Sequence, residues 1–270
     1  DLLVNGMRER GYDSAFIESI FEQIKGFGEY GFPESHAASF ALLVYASCWI
    51  KCHYPAQFLV AMLNSQPLGF YTPSQLVQDA RRHDVTVRPV DVMDSDWDCT
   101  IQDEDGAFEV RLGLRLVSHL AKATGLRIVE ARQQAPFDSA DDLARRAGVS
   151  DSEMKVLAGA DALMSLSGHR RQQVWDAAAL KAAPALLTEA PIDEDYLELR
   201  AAPEGEEVVW DYASTGLTLR SHPLALLRPR LARRGLLSAA QLDKAADGQV
   251  VRACGIVTLR QQPETAKGTI

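Results

Sequence analysis

The sequence predicts a mainly α fold, a run of helical bundles with a small strand insert and an incomplete β segment at its C-terminal end. Three observations carry this. Apolar residues recur at helical spacing over most of the chain, from Phe16, Ile20 and Ile24 onward. Strand patterning is confined to residues 85–112, where two short segments alternate, and to the last stretch, GQVVRACGIVTLR. Helix start and stop residues punctuate the remainder. The chain has 270 residues, 47% hydrophobic and 24% charged, which is a globular composition able to bury a sizeable core.

In chain order, Ile17 and Phe21 join Phe16, Ile20 and Ile24 on the face of a first helix, and Gly26, Gly28 and Gly31 are expected to break it. A second helix follows GFGEYGFPES, with Ser35 as its N-cap after Pro33. Ala37, Ala41, Val44, Tyr45, Cys48, Trp49 and Cys52 line one side of it. Pro55 opens a helix over 56–63, and a further one spans 75–83. VTVRPV and DGAFEVRLGL alternate and flank a cluster of Asp91, Asp94, Asp96 and Asp98, so short strands with a QDEDG turn are expected. Helices resume over 118–133. FDSADDLARRAG has Ser139 as N-cap and Gly148 as stop, and Ser150 with Glu153 forms a capping box. Residues 168–182 and 224–234 are helical by pattern, and the final segment is a strand with no partner. The chain opens without an initiator Met, so both ends are expected to be cut.

Charge is unevenly placed. The net charge is −9, which argues against a chain whose whole surface grips nucleic acid but leaves room for a local basic face. Nine carboxylates from Glu189 to Asp211 face only Arg200, and with Pro191 and Pro203 the stretch reads as an exposed acidic connector. Three basic groups stand apart: Arg111, Arg115, Lys122, Arg127 and Arg132; His169, Arg170 and Arg171; and Arg228, Arg230, Arg233 and Arg234. Each reads either as a solvated face or as a contact to phosphates. No apolar run reaches the roughly 18 residues that span a bilayer, and no membrane partner is expected. There is no basic and then apolar leader, and the four cysteines are too few for a disulfide scaffold. A reducing cytoplasm is the expected compartment.

Several constellations invite chemistry. A glycine loop opening a helix presents backbone N–H groups at a positive dipole end, which suits a phosphate. His36 and Lys25 would add donors there; the alternative is a sharp corner between helices. The four aspartates suit a hard cation, but they lack the glycine and terminal Glu of a calcium loop and read as a polar turn. Cys48, Cys52 and His53 share a helix without a second ligand pair, so they read as buried structural residues, and no metal is expected. RLGLRLVSHLAKATGLRIVEAR has the outline of a helix-hairpin-helix, whose tight hairpin offers backbone N–H groups to a DNA phosphate and positions without specifying sequence.

Taken together, GFGEYGFPESHAASFALLVYASCWIKCHYPAQFLVAMLNSQ resembles the fingers of bacterial C-family DNA polymerases, the DNA polymerase III α-subunit type. QPLGFYTPSQLVQDARRHDVTVRPVDV, SDWDCT and SLSGHRRQQVWDA are most similar to its error-prone, damage-inducible branch. The resemblance covers essentially the whole chain. It implies fingers over 1–112 with the strand insert at 85–112, a helix-hairpin-helix region over 113–183, the acidic connector over 184–248, and the start of an OB-fold over 249–270. It implies addition of a deoxynucleoside triphosphate to a primer end, with Mg2+ held by palm aspartates outside this chain, so that this segment alone is expected to be inactive and contains no catalytic residue. Lys25, Tyr30, Ser35 and His36 would face the nucleotide. Arg111, Arg115, His119, Lys122, Arg127, Arg170 and Arg171 would contact primer–template DNA. Mutasome accessory proteins are implied partners.

Two departures from the family pattern stand out. His119, Leu120 and Ala121 occupy the usual Gly-x-Gly of the first hairpin, where positive φ and close approach are harder without glycine. No clamp-binding peptide is visible in the connector, so tethering to a sliding clamp is expected to be indirect. A replicative-type polymerase segment, a non-enzymatic helix-hairpin-helix DNA-binding module and a helical protein-interaction scaffold are the alternatives.

Overall fold

The computed structural model describes residues 2–29, 33–104, 107–180 and 197–257. The architecture is mainly α, and the chain divides into two compact units, 1–55 and 56–270.

The first unit holds α1 (Leu2–Glu9), α2 (Ser14–Glu29) and α3 (Pro33–His53). The glycines at 26 and 28 do not end α2, which runs through both of them; a single glycine costs a helix only about 1 kcal/mol. Pro33, not Ser35, opens α3, because proline's fixed φ suits a first turn whose N–H has no helical acceptor. Ile17 is the one buried apolar side chain among the described residues of this unit. Along α3, Leu42, Leu43, Val44 and Tyr45 are exposed in succession, with Leu42 at 74%. Cys48 and Cys52 are exposed as well, which corrects their expected burial.

The second unit begins with α4 (Pro55–Asn64) and α5 (Pro73–Arg82), the latter opened by a Thr72–Gln75 capping box. A three-stranded sheet follows, β1 (Val87–Arg88), β2 (Thr100–Glu104) and β3 (Ala107–Arg111), in the order β1-β3-β2. β2 and β3 form the expected antiparallel hairpin, with Ile101 opposite Val110, and β1 runs parallel to β3. The tip of the predicted QDEDG turn, residues 105–106, lies outside the described residues.

A helical layer succeeds the sheet: α6 (Lys122–Gln134), α7 (Ala140–Ala147), α8 (Asp151–Gly159), α9 (Met164–Ser167) and α10 (Arg170–Ala179). Its stops and starts are those the sequence specifies. Ser139 accepts from the Asp142 N–H, Gly148 turns left-handed at φ 58°, and Ser150 with Glu153 closes its capping box. Leu114, Ile128, Leu143, Met154, Leu157 and Leu163 are fully buried in one core with Leu63 and Val110. Each such side chain contributes about 1.5–3 kcal/mol.

The expected exposed acidic connector is corrected in part. Residues 181–196 lie outside the described residues, but Glu204–Ser214 forms a helix, α11, whose Glu207, Val208 and Asp211 are buried. Glu204, Glu206 and Glu207 sit in its first turn, where carboxylates complement the helix dipole. α12 (Pro223–Arg233) and the short α13 (Ala239–Leu242) follow. Of the expected OB-fold start, residues 249–257 show an isolated parallel bridge, Leu237 to Ala253, and 258–270 lie outside the described residues.

Candidate nucleic-acid interface

The expected hairpin sits between a 3-10 turn, Leu114–Leu116, and the start of α6. His119 holds it in the left-handed conformation at φ 65°, so the positive φ that the family pattern assigns to glycine is taken up by a histidine. The positive φ, expected to be harder without glycine, is adopted all the same. The conformation costs an L-residue about 1–2 kcal/mol, and the surroundings impose it. Leu120 is buried as an anchor on the far side, the Leu120 N–H donates to Val117, and the Ser118 N–H donates to the Ser214 carbonyl at 2.8 Å.

His119, Ala121, Lys122 and Ala123 are exposed around the tip. Ala121 is the N-cap of α6 and supplies no side-chain oxygen, so no side chain of its own caps the first N–H groups of α6. Close packing fixes the helix behind them. A Cβ on Gly125 would lie 2.5 Å from the Trp97 ring, and Thr124 donates to Glu153 on α8. That hydrogen bond is the main cause of a Glu153 carboxyl held below its usual range. The result is a rigid helix start with backbone donors, one imidazole and one ammonium facing outward.

Most of the other predicted DNA contacts are turned inward. Arg111, 12% exposed in its side chain, pairs with Asp94 at 3.2 Å and donates to the Pro89 carbonyl. Arg115 pairs with Asp98 at 2.7 Å and donates to the Asn64 carbonyl. Arg132 pairs with Asp96 and donates to the carbonyls of Val92 and Ser95. The aspartate cluster and the basic segment therefore neutralise one another. The cluster's fourth member, Asp91, is buried, accepting from Met93 and Ser165, and burial raises its carboxyl above the usual value. Arg127 donates to the carbonyls of Ala147 and Gly148 at the end of α7. Arg171 is half exposed and pairs with Glu206 at 3.2 Å.

Arg170 is corrected outright as a DNA contact. It is 3% exposed and sits among Glu207 at 2.8 Å, Asp211 and, at 3.8 Å, Asp161. Arg220 closes the same network on Asp161 at 2.6 Å and Asp211 at 2.8 Å. Burial pushes the Glu207 carboxyl above its usual value despite both guanidinium groups. Asp161 is itself left-handed, at φ 60°, in a second hairpin between α8 and α9. Its side chain accepts from Gln173 and Arg220, so this tip is occupied from within. Sequence reasoning missed the network because its partners stand 41 and 59 residues apart, Arg170 to Asp211 and Asp161 to Arg220.

The nucleotide-facing candidates fall within residues 1–55. Lys25 is exposed on α2 and pairs with Glu22 at 3.6 Å. Ser35 and His36 lie in the first turn of α3. Their side chains, and Tyr30 altogether, lie outside the described residues. Among the described residues no group of three carboxylate, histidine or cysteine side chains is placed to hold a metal ion, and no helix is long and apolar enough to cross a membrane.

Comparison with known sequences adds to this geometry. The signature described as helix-hairpin-helix motif matches residues 84–173, which include both hairpins. The error-prone DNA polymerase of Bordetella parapertussis is 55% identical over 271 residues, covering 99% of this chain and 26% of the relative. Those of Methylococcus capsulatus and Azoarcus sp. are 50% and 53% identical over 99% of the chain, covering 27% and 26% of their own lengths. The chain thus spans about a quarter of the length of the curated relatives it matches.

Proposed function

We propose that this chain, similar over 99% of its length to error-prone DNA polymerases, works as one segment of a DNA-directed DNA polymerase and holds duplex DNA by the backbone at the His119 hairpin. The observation that carries the reading is the hairpin tip within the region matching the helix-hairpin-helix motif: left-handed at 119, exposed, and followed by a helix start without a side-chain cap. Backbone N–H groups at a helix start attract a phosphate oxygen, and Lys122 and His119 add donors that read no base. The grip is narrower than the sequence implied, because Arg111, Arg115 and Arg170 are engaged inside the fold and Arg127, though exposed, is held on the carbonyls of Ala147 and Gly148.

On this reading the reaction is addition of a deoxynucleoside triphosphate to a primer end, with Mg2+ bound by aspartates elsewhere in the longer protein. Lys25, Tyr30, Ser35 and His36 would line the approach of the triphosphate from residues 1–55, within a fingers region extending to about 112. The exposed apolar run Leu42, Leu43, Val44 and Tyr45 on α3 supports a role inside a larger assembly, since so much contiguous apolar surface ordinarily marks an interface. Damage-inducible translesion synthesis in the cytoplasm, mutasome accessory partners and indirect tethering to a sliding clamp complete the proposal.

A salt titration of primer–template binding tests it. Lys122→Gln should reduce the slope of log affinity against log salt by about 0.9, the loss of one phosphate contact. An unchanged slope removes the hairpin from the interface.

A further inference from the structure

Two arginines on the last turn of α5 stand outside every ion pair that organises the rest of the unit. Arg81 and Arg82 are exposed, and among the described residues neither has a carboxylate partner, whereas Arg111, Arg115, Arg132, Arg170 and Arg220 each have one. They border an open cleft of about 280 Å³ whose other wall is built by Tyr212 of α11, Arg220, and His222 at the N-cap of α12.

The wall is made of donors. The Nδ1 of His222 accepts from the Leu224 N–H, which leaves the proton of a neutral ring on Nε2 as a donor. Arg220 has its guanidinium on Asp161 and Asp211, with Glu207 at 3.3 Å, and Thr218 donates to Asp211, so Arg220 brings no unpaired charge to the cleft. No Asp or Glu lines the cleft itself. The uncompensated charge is that of Arg81 and Arg82, whose planar forks suit phosphate geometry. The volume lies below the roughly 300–1,000 Å³ of sites that enclose a whole small molecule, and the open shape admits one group of a longer strand. Tyr212, 38% exposed at the rim, offers a flat apolar surface for a neighbouring sugar or base.

We infer that this cleft seats one phosphodiester of a DNA strand, a second backbone contact apart from the α6 hairpin. The inference rests on the DNA-binding reading above. It assigns to α5, α11 and the start of α12 a role that the hairpin does not supply, and it places a DNA contact within the stretch expected to be an acidic connector.

The test compares the 270-residue chain with its Arg81→Gln/Arg82→Gln variant by fluorescence anisotropy over a salt series, on labelled primer–template and on the single strand alone. Both side chains are exposed at a helix end, so the melting temperature should hold and the variant should stay folded. The expected result is a salt slope lower by about 0.9 per lost contact on duplex, or about 0.7 on single strand, with Lys122→Gln lowering it further and independently. A slope unchanged on both substrates overturns the cleft while leaving the hairpin standing. If the unsubstituted chain binds neither substrate, the DNA reading itself has failed, and calorimetry with pyrophosphate then decides the cleft. Binding lost in the double variant reassigns it to a free phosphate ligand and overturns the strand contact; no binding at all overturns the site.

Discussion

Replacing Arg170 by Met removes a cation from a site where it is 3% exposed and leaves the aliphatic volume in place. Its guanidinium donates to the backbone carbonyl of Glu207 at 2.8 Å and to Asp211, and it lies 2.8 Å from the Glu207 carboxylate as an ion pair. In its absence Asp161, Glu207 and Asp211 share Arg220 alone, with Glu207 3.3 Å from it. Breaking a buried pair from one side costs about 3–5 kcal/mol, because the remaining charges stay desolvated without their partner. At about 2–4 °C per kcal/mol for a chain of this size, the melting temperature should fall by roughly 6–20 °C. The loss should be smaller at pH 5 than at pH 7.5. The Glu207 carboxyl is already raised by burial, so its protonated form is favoured in the fold, and the stability from that proton is present at low pH and lost as pH rises through the folded value. Removing Arg170 raises that value further. Urea unfolding at the two pH values measures both effects. A loss under about 1 kcal/mol, or one no smaller at pH 5, would refute the network as the reason for Arg170. Full stability with lost DNA affinity would restore it as a DNA contact.

Two further outcomes follow from backbone geometry. Gly113→Ala places a methyl carbon 2.4 Å from the Asp98 carbonyl carbon and 2.6 Å from the Cys99 nitrogen, both backbone atoms that cannot swing aside. The cost should reach or exceed the top of the roughly 1–3 kcal/mol range for overpacking, read as a fall in urea midpoint. His119→Gly relieves a left-handed L-residue worth about 1–2 kcal/mol against an entropic cost of about 0.5–1 kcal/mol. The variant should therefore be as stable as the parent or up to about 1.5 kcal/mol more so, while DNA affinity falls modestly; a clear loss of stability would show that the imidazole supports the fold.

The helix boundaries that the sequence located best are those with local chemistry. Ser139, Gly148, Ser150 and Glu153 act on N–H and C=O groups within four residues, so their effect is written in the order of the chain. The alternating stretches gave the β2–β3 hairpin for the same reason, since a period of two sorts side chains between faces wherever the strand lies. α11 was hidden because its acidic composition reads as solvated, and its burial of Glu207 and Asp211 depends on Arg170, 41 residues before Asp211, together with Arg220. The site divided along the same line. The resemblance of the long string around GFGEYGFPESH pointed to a polymerase segment, which composition and periodicity do not by themselves indicate, and the hairpin's place between Leu116 and Lys122 was legible from its outline.

Which basic residues remain free to meet a phosphate was decided by tertiary structure alone. A guanidinium carries the same charge in every sequence context, but it is available outside only if no carboxylate or carbonyl inside the fold reaches it first. Packing brought Asp94, Asp98 and Asp211 to Arg111, Arg115 and Arg170, and left His119, Lys122, Arg81 and Arg82 facing out.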